Sequence, residues 1–305
     1  MFYRRKIILA LLQLFDDQLE KIRLQKLLFL FTQSGSTDLQ KNEPKIGGPC
    51  YDFVPYKYGC FSYSAYADLG AMTKRGTVND NETHFIRIDQ TDYFKQLKAD
   101  DKKVLIEVKN NYGKMSADAL MKHTYVNFPF YAINSLKAST LLSKVEFQKV
   151  IDAKPNGTKT ILFTIGYEGI SLEEYLVRLL KNDVKVLIDV RNNPLSMKYG
   201  FSKTLLKRNC ESLGIQYLHF PEVGIQSEQR KELNSQTDYD ELFLRYRKNN
   251  LSKTTNSQTE ILNLLKQHKR IALTCFEANI CQCHRKHLAE AIEALPSFSY
   301  EVKHI

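Results

Sequence analysis

The hydrophobic positions of the chain change their period about half-way along it. From Arg4 to about Gln33 they recur at helical spacing: Ile7, Leu11 and Leu14 share one face, and Ile22, Leu24, Leu27, Leu28 and Phe31 follow. A polar turn, Ser34-Gly35-Ser36-Thr37-Asp38, then interrupts the pattern. A short strand over Tyr51–Tyr56 leads through Lys57-Tyr58-Gly59-Cys60-Phe61 to Ser62, whose hydroxyl predicts an N-cap for a helix through Ala65, Leu69, Met72 and Lys74. Gly76 is expected to end that helix. Thr77-Val78 and His84–Ile88 predict a hairpin around Asn79-Asp80-Asn81-Glu82, with further helices over Asp100–Tyr112 and Ser116–Lys122.

Beyond the polar stretch Asp152-Ala153-Lys154-Pro155-Asn156-Gly157-Thr158, a natural linker, the pattern alternates between buried strands and amphipathic helices. Strands are predicted at Thr160–Gly166, Val184–Arg191, Ile215–Phe220, Arg270–Thr274 and Tyr300–His304. Helices are predicted at Ser171–Leu180, with Ser171 and Glu174 spaced as a capping box, and at Ser202–Leu213, Asp238–Lys248, Gln258–His268 and His284–Leu295. Such alternation predicts an α/β fold, a mainly parallel sheet with helices on both faces, over residues 159–305. Helices followed by a two-stranded wing predict a helical, winged-helix-like binding domain over residues 1–151. The helix before the wing carries Lys74 and Arg75, and Lys57 lies between two tyrosines ahead of it. These three cations are the candidate nucleic-acid contacts. The tyrosines serve equally well as core or rim residues.

Charge adds a partner class. The 305 residues hold 44 Lys and Arg against 34 Asp and Glu, a formal net charge of +10, and both halves share the excess. A basic surface favours a polyanion, nucleic acid or a nucleotide first. No apolar run approaches the roughly 20 residues that span a bilayer. Gln13 and Asp16-Asp17 break the N-terminal apolar stretch before any cleavage signal, so a cytoplasmic protein without membrane contact is expected. The six cysteines are too unevenly placed for a disulfide framework.

Chemistry concentrates where strands end. In a parallel sheet the C-terminal strand ends share one edge, the usual place for ligands. Here they supply Gly166-Tyr167, Asp189 and Arg191, His219, and Cys275-Phe276-Glu277, and the last of these leads on to Cys281, Cys283, His284 and Arg285. Three readings of the cysteine loop stay open. Cys275 can be a nucleophile activated by the loop and the following helix N-terminus, with Arg285 and Arg191 gripping anionic oxygens and Glu277 or Asp189 moving protons. Cys275, Cys281, Cys283 and His284 can bind zinc, although the Cys-x5-Cys-x-Cys-His spacing is uncommon and adjacent Cys283 and His284 are not expected to reach one ion. The thiols can also be redox-active, although no Cys-x-x-Cys pair is present. Against these stands a plain structural role: Asp189 and Arg191 as a local ion pair before Pro194, and His219 as a core-edge residue.

The segment from about Lys159 to Ile305 resembles the bacterial domain of unknown function 488. The resemblance rests on Thr164-Ile165-Gly166-Tyr167, Leu187–Pro194, Leu213–Leu218, and Cys275-Phe276-Glu277 followed by Cys283-His284-Arg285. It implies a Rossmann-like domain with a shared polar pocket and supplies no reaction. Leu24–Leu30 and Tyr58–Ser62 make the N-terminal half similar to the Panacea, or SocA-like, antitoxin-associated domain, although Cys60 stands where that family usually has proline. This implies a compact helical domain for protein or nucleic-acid contacts. Two functions are therefore expected to compete. One is an enzyme acting on nucleic acid or a nucleotide-like substrate, with Cys275, Glu277 and Asp189 as its chemical groups and Arg191, Arg285, His284, Gly166 and Tyr167 holding the anion. The other is a non-catalytic, ligand-sensing DNA-binding regulator or antitoxin-like protein. A zinc-stabilised scaffold is a third. The pattern specifies no cofactor.

Overall fold

The computed structural model of the chain describes residues 1–34, 50–226, 229, 233 and 235–305. The polar turn expected at 35–38 lies outside them. The chain separates into two compact units, Met1–Lys154 and Pro155–Ile305, each with a core of its own.

In the first unit, helix α1 (Tyr3–Leu14) ends near Asp16 and Asp17, which take φ of 58° and 64°. Aspartate enters this left-handed region more readily than bulkier residues because its short polar side chain bonds locally. The two residues break the helical pattern expected to run from Arg4 to Gln33 and lead into strand β1 (Gln18–Glu20). Helix α2 (Lys21–Ser34) follows, and every residue from Leu24 to Phe31 is buried. A helix apolar on all sides belongs at the centre of a core. Its two buried polar residues have backbone partners on the next segment. Lys26 Nζ donates to the Cys60 carbonyl at 2.8 Å, and Gln25 accepts from the Ser62 N–H at 2.9 Å. Burial lowers the Lys26 pKa.

Those bonds fix the hairpin of β2 (Val54–Tyr56) and β3 (Gly59–Phe61) and the start of α3 (Tyr63–Lys74), where Ser62 caps by accepting from the Ala65 N–H. Strands β4 (Val78–Asp80) and β5 (His84–Arg87) form the expected hairpin. β1 adds to β5 as a third antiparallel strand, with Leu19 opposite Phe85. A three-residue strand between two helices is too short to show alternation, so the pattern hides it. Helices α4 (Ala99–Tyr112), α5 (Ala117–Asn127), α6 (Ala138–Leu141) and α7 (Lys144–Asp152) follow, the last opened by a Ser143–Glu146 capping box.

The second unit runs β6 (Ile161–Gly166), α8 (Leu172–Lys181), β7 (Val186–Asp189), α9 (Lys203–Glu211), β8 (Gln216–His219), α10 (Gln236–Asn249), α11 (Thr255–His268), β9 (Arg270–Cys275), α12 (His284–Glu293) and β10 (Glu301–His304). The five strands form one Rossmann-like parallel sheet in the order β10-β6-β9-β7-β8. Every residue of β6, β7 and β9 is buried, as a sheet covered on both faces requires. The two faces can be told apart by the strand alternation. Leu273 belongs to the apolar cluster that includes Leu262 of α11 and Leu288 of α12, whereas the next residue, Thr274, accepts a 2.7 Å hydrogen bond from Tyr175 of α8.

This order sets the position of the site. After β7 the chain leaves toward β8, and after β9 it returns the other way toward β10. The connections diverge between neighbours β9 and β7, which is where a crevice opens in such sheets. The register places Gly166 opposite Cys275, and Asp189 opposite both Thr274 and His219, so the strand ends share one edge. Among the described residues no helix is long and apolar enough to cross a membrane.

Candidate functional site

Two polar clusters lie at this edge. The first centres on Asp189, which ends β7 with no solvent exposure. Its carboxylate accepts from Arg191 Nε at 2.8 Å, from Arg191 Nη2 at 2.5 Å and from the Tyr217 hydroxyl at 2.6 Å. Arg191 Nη1 donates to the Tyr167 hydroxyl at 2.7 Å and to the Phe201 carbonyl at 2.9 Å, and its guanidinium lies over the Tyr167 ring. Tyr167 stacks in turn on Phe201 with ring centroids 4.2 Å apart. Burial alone would lower the Arg191 pKa, but the bonds and charge of Asp189 outweigh it and hold it above the usual arginine value. Burial, and then the Asp189 carboxylate, push the Tyr217 hydroxyl up. Every guanidinium nitrogen of Arg191 has a partner inside the protein. The pair pins the loop ahead of Pro194, and His219 Nε2 bonds the Arg191 carbonyl at 2.9 Å.

The second cluster centres on Cys275, the last residue of β9, which is 2% exposed. Its Sγ lies 3.2 Å from Glu277 Oε2 and 3.6 Å from His284 Nδ1. His284 Nε2 sits 3.0 Å from the Val190 carbonyl. A carbonyl only accepts, so that bond requires the proton on Nε2 and, in a neutral ring, turns the Nδ1 lone pair toward sulfur. Cys283 brings a second buried thiol: Cys275 Sγ, Cys283 Sγ and one ring nitrogen of His284 lie within 4.8 Å of one another. Burial raises the Cys283 pKa well above its usual value, and neighbouring Cys275 adds to the effect.

The convergence of Cys283 with His284 differs from the expectation drawn from their adjacency. Cys283 is the extended N-cap of α12, with φ −127° and ψ 132°, whereas His284 is the first helical residue. The change of backbone conformation between them lets consecutive side chains reach one point. Cys281 is exposed and stands outside the trio.

The loop from Phe276 to Ala278 is held from three sides. The Phe276 carbonyl accepts from the N–H groups of both Tyr167 and Glu168. Arg285 Nη1 donates to the Glu277 carbonyl, and Nη2 donates to the Ala278 carbonyl at 3.2 Å. The Glu168 carboxylate accepts from the Ala278 N–H at 3.0 Å. Gly166 is required here, because a Cβ would fall 1.9 Å from the Glu277 carbonyl oxygen. Gly166, the Tyr167 backbone and Arg285 thus secure the loop, and Arg285 is 2% exposed.

Tyr167, Arg191, Asn192, Ser196, Cys275 and His284 are among the residues lining one cavity of about 330 Å³. A neighbouring cavity of about 560 Å³ shares Asn192 and adds Gln226, Arg245, Asn249 and Asn250. The amide residues and Arg245 escaped the sequence reading, since nothing in their spacing marks them; only the folded chain gathers them. In the first unit, Lys57 is exposed on the turn between β2 and β3, and Lys74 and Arg75 are exposed at the end of α3.

The family model for the Domain of unknown function DUF488 matches residues 171–292. The match covers both clusters apart from Gly166, Tyr167 and Glu168 and bears out the resemblance read in the C-terminal half. Neither a curated protein nor a solved structure matches the chain.

Proposed function

We propose that the second unit is an enzyme acting on nucleic acid or a nucleotide-like substrate, with Cys275, His284 and Glu277 as its reacting centre. The observation that carries this reading is the buried thiol of Cys275, flanked by an oriented imidazole and a carboxylate, at the wall of a cavity that sits at the switch point of a parallel sheet. Glu277 is the proton carrier. Arg191, through Asp189 and Tyr167, shapes the cavity wall. The amides of Asn192, Asn249 and Asn250 supply paired donors and acceptors suited to a base edge, and Arg245 supplies charge for a phosphate. The first unit is a winged-helix-like, Panacea-like domain that binds nucleic acid or a protein partner, with Lys57, Lys74 and Arg75 as its exposed cations. The net charge of +10 supports a polyanionic partner.

Fluorescence anisotropy with single-stranded DNA, duplex DNA and RNA at low and moderate salt tests the partner class. Binding that weakens steeply with salt is the expected result; no binding at low salt removes nucleic acid and leaves small nucleotides to be assayed. For any substrate so found, Cys275→Ser is expected to lower turnover by about 100-fold or more while binding persists. Ligand-dependent DNA affinity with no turnover in the wild type would replace the enzyme with a regulator.

A further inference from the structure

The reacting centre proposed above uses one thiol, one imidazole and one carboxylate, and the second cluster holds one thiol more. Cys275 Sγ, Cys283 Sγ and a ring nitrogen of His284 converge within 4.8 Å, and all three residues are buried. Their spacing has a physical measure. A tetrahedral zinc ion bonds sulfur at about 2.3 Å and imidazole nitrogen at about 2.0–2.1 Å, which sets the sulfur–nitrogen edge of the tetrahedron at about 3.6 Å. The Cys275 Sγ–His284 Nδ1 separation is 3.6 Å. The matching sulfur–sulfur edge, about 3.8 Å on the same bond lengths, falls within the 4.8 Å limit.

The orientation of His284 is an independent observation. Metal-bound histidines hold their other ring N–H on a carboxylate or carbonyl, which fixes the tautomer and aims the free lone pair. The bond from His284 Nε2 to the Val190 carbonyl does this, and Nδ1 faces the thiols. Two thiols and an imidazole form a soft donor set that selects zinc over oxygen-seeking magnesium or calcium.

We infer that Cys275, Cys283 and His284 hold a single zinc ion through three protein ligands. The inference deepens, and for its catalytic meaning rests on, the reading of this cluster as the reacting centre. Three protein ligands leave a fourth coordination position, the mark of a catalytic rather than a structural zinc site. Cys275 and His284 both line the 330 Å³ cavity, which gives that position a route to a substrate. The Glu277 carboxylate, 3.2 Å from Cys275 Sγ, stands beside the trio as the group that takes a proton from a ligand in that position. Cys281 is exposed and contributes nothing to the ion.

The full chain, purified under reducing conditions without chelator, is assayed for metal by mass spectrometry and reconstituted with cobalt(II) for its thiolate-to-metal absorption. One zinc per chain is expected in the wild type and in Cys281→Ser. Occupancy is expected to fall by about tenfold or more in His284→Ala and Cys283→Ser. Cobalt absorption supplies a readout in the near-isosteric Cys283→Ser that a folding defect does not mimic, provided the far-UV circular dichroism is retained. Glu277→Gln is expected to keep the zinc. Wild-type protein that takes up neither metal, a Cys275–Cys283 disulfide in its place, or loss of zinc in Cys281→Ser would each overturn the inference. A metal-free wild type in which Cys275→Ser still abolishes turnover would defeat the zinc site and leave the enzyme standing. Stoichiometric zinc in a protein with no turnover would do the reverse.

Discussion

The two clusters at the sheet edge are built from neighbouring strands in adjacent register, yet they close in opposite ways. Asp189 and Arg191 are hard, charged groups, and each finds its partners within the protein: the carboxylate has a bidentate guanidinium and a phenol, and the guanidinium has a carboxylate, a phenol and a carbonyl. Cys275, Cys283 and His284 are soft groups that meet one another, and two of the three face a cavity. Removing two charges from water costs several kcal/mol per ion and is tolerated only when the pairing is complete. The first cluster therefore works as an anchor for the strand-end loop, whereas the second places a thiol and an imidazole on a cavity wall.

The comparison can be broken most directly at Asp189. Asp189→Asn leaves Arg191 charged and buried without its counter-ion, and a loss of about 3–5 kcal/mol is expected in chemical denaturation. A loss below about 1 kcal/mol would mean that the pair is no anchor. Gly166→Ala comes next. The added methyl meets the Glu277 carbonyl and forces the loop that carries Glu277 to move, at a cost of about 1–3 kcal/mol. The accompanying change in near-UV circular dichroism from Tyr167 and Phe276 checks that the loop is what moved. Tyr217→Phe removes one donor from Asp189 and should cost about 1–2 kcal/mol. On the other side, Cys275→Ser in metal-free protein buries a hydroxyl within reach of Glu277 and His284 and should cost about 1–2 kcal/mol, below Asp189→Asn; equal effects would erase the distinction between anchor and site.

The smallest effect is one of pH. His287 packs against Phe243 and bonds Glu290, and burial, only partly opposed by Glu290, holds its pKa below the ordinary value. The unfolded chain therefore takes up this proton first as the pH falls below about 6.5. The contribution is fully present above that value and is lost as the pH drops through the folded value. Denaturation midpoints should decline on acidification across this window, and His287→Gln should decline less.

The strands and helices of the second unit were legible because the period of their apolar residues switches cleanly between two templates, and several strands carry a polar or thiol residue at the C-terminal end. The same rule pointed to Asp189, Arg191 and Cys275. The local Asp189–Arg191 ion pair was also readable from the sequence, but the sequence could not show that Arg191 gives its remaining donors to Tyr167 and Phe201, which lie 24 and 10 residues away and meet it only through the sheet order. Nor could it show that Cys283 and His284 converge, since that depends on one residue of extended backbone at a helix cap. In the first unit β1 escaped because its turn is made by two aspartates in a conformation that sequence patterns assign to glycine or asparagine.

The position of β9 has a consequence for how the chain is made. This strand lies between β6 and β7 in the sheet, yet it is translated some 80 residues after β7. Until it leaves the ribosome, two fully buried strands have no neighbour to join them, and their paired edge is a gap the width of one strand. The second unit therefore cannot assemble progressively from its N-terminal side. It must wait with exposed strand edges, which are prone to pair with other chains, until Arg270–Cys275 arrives to close the sheet and deliver its thiol in the same event.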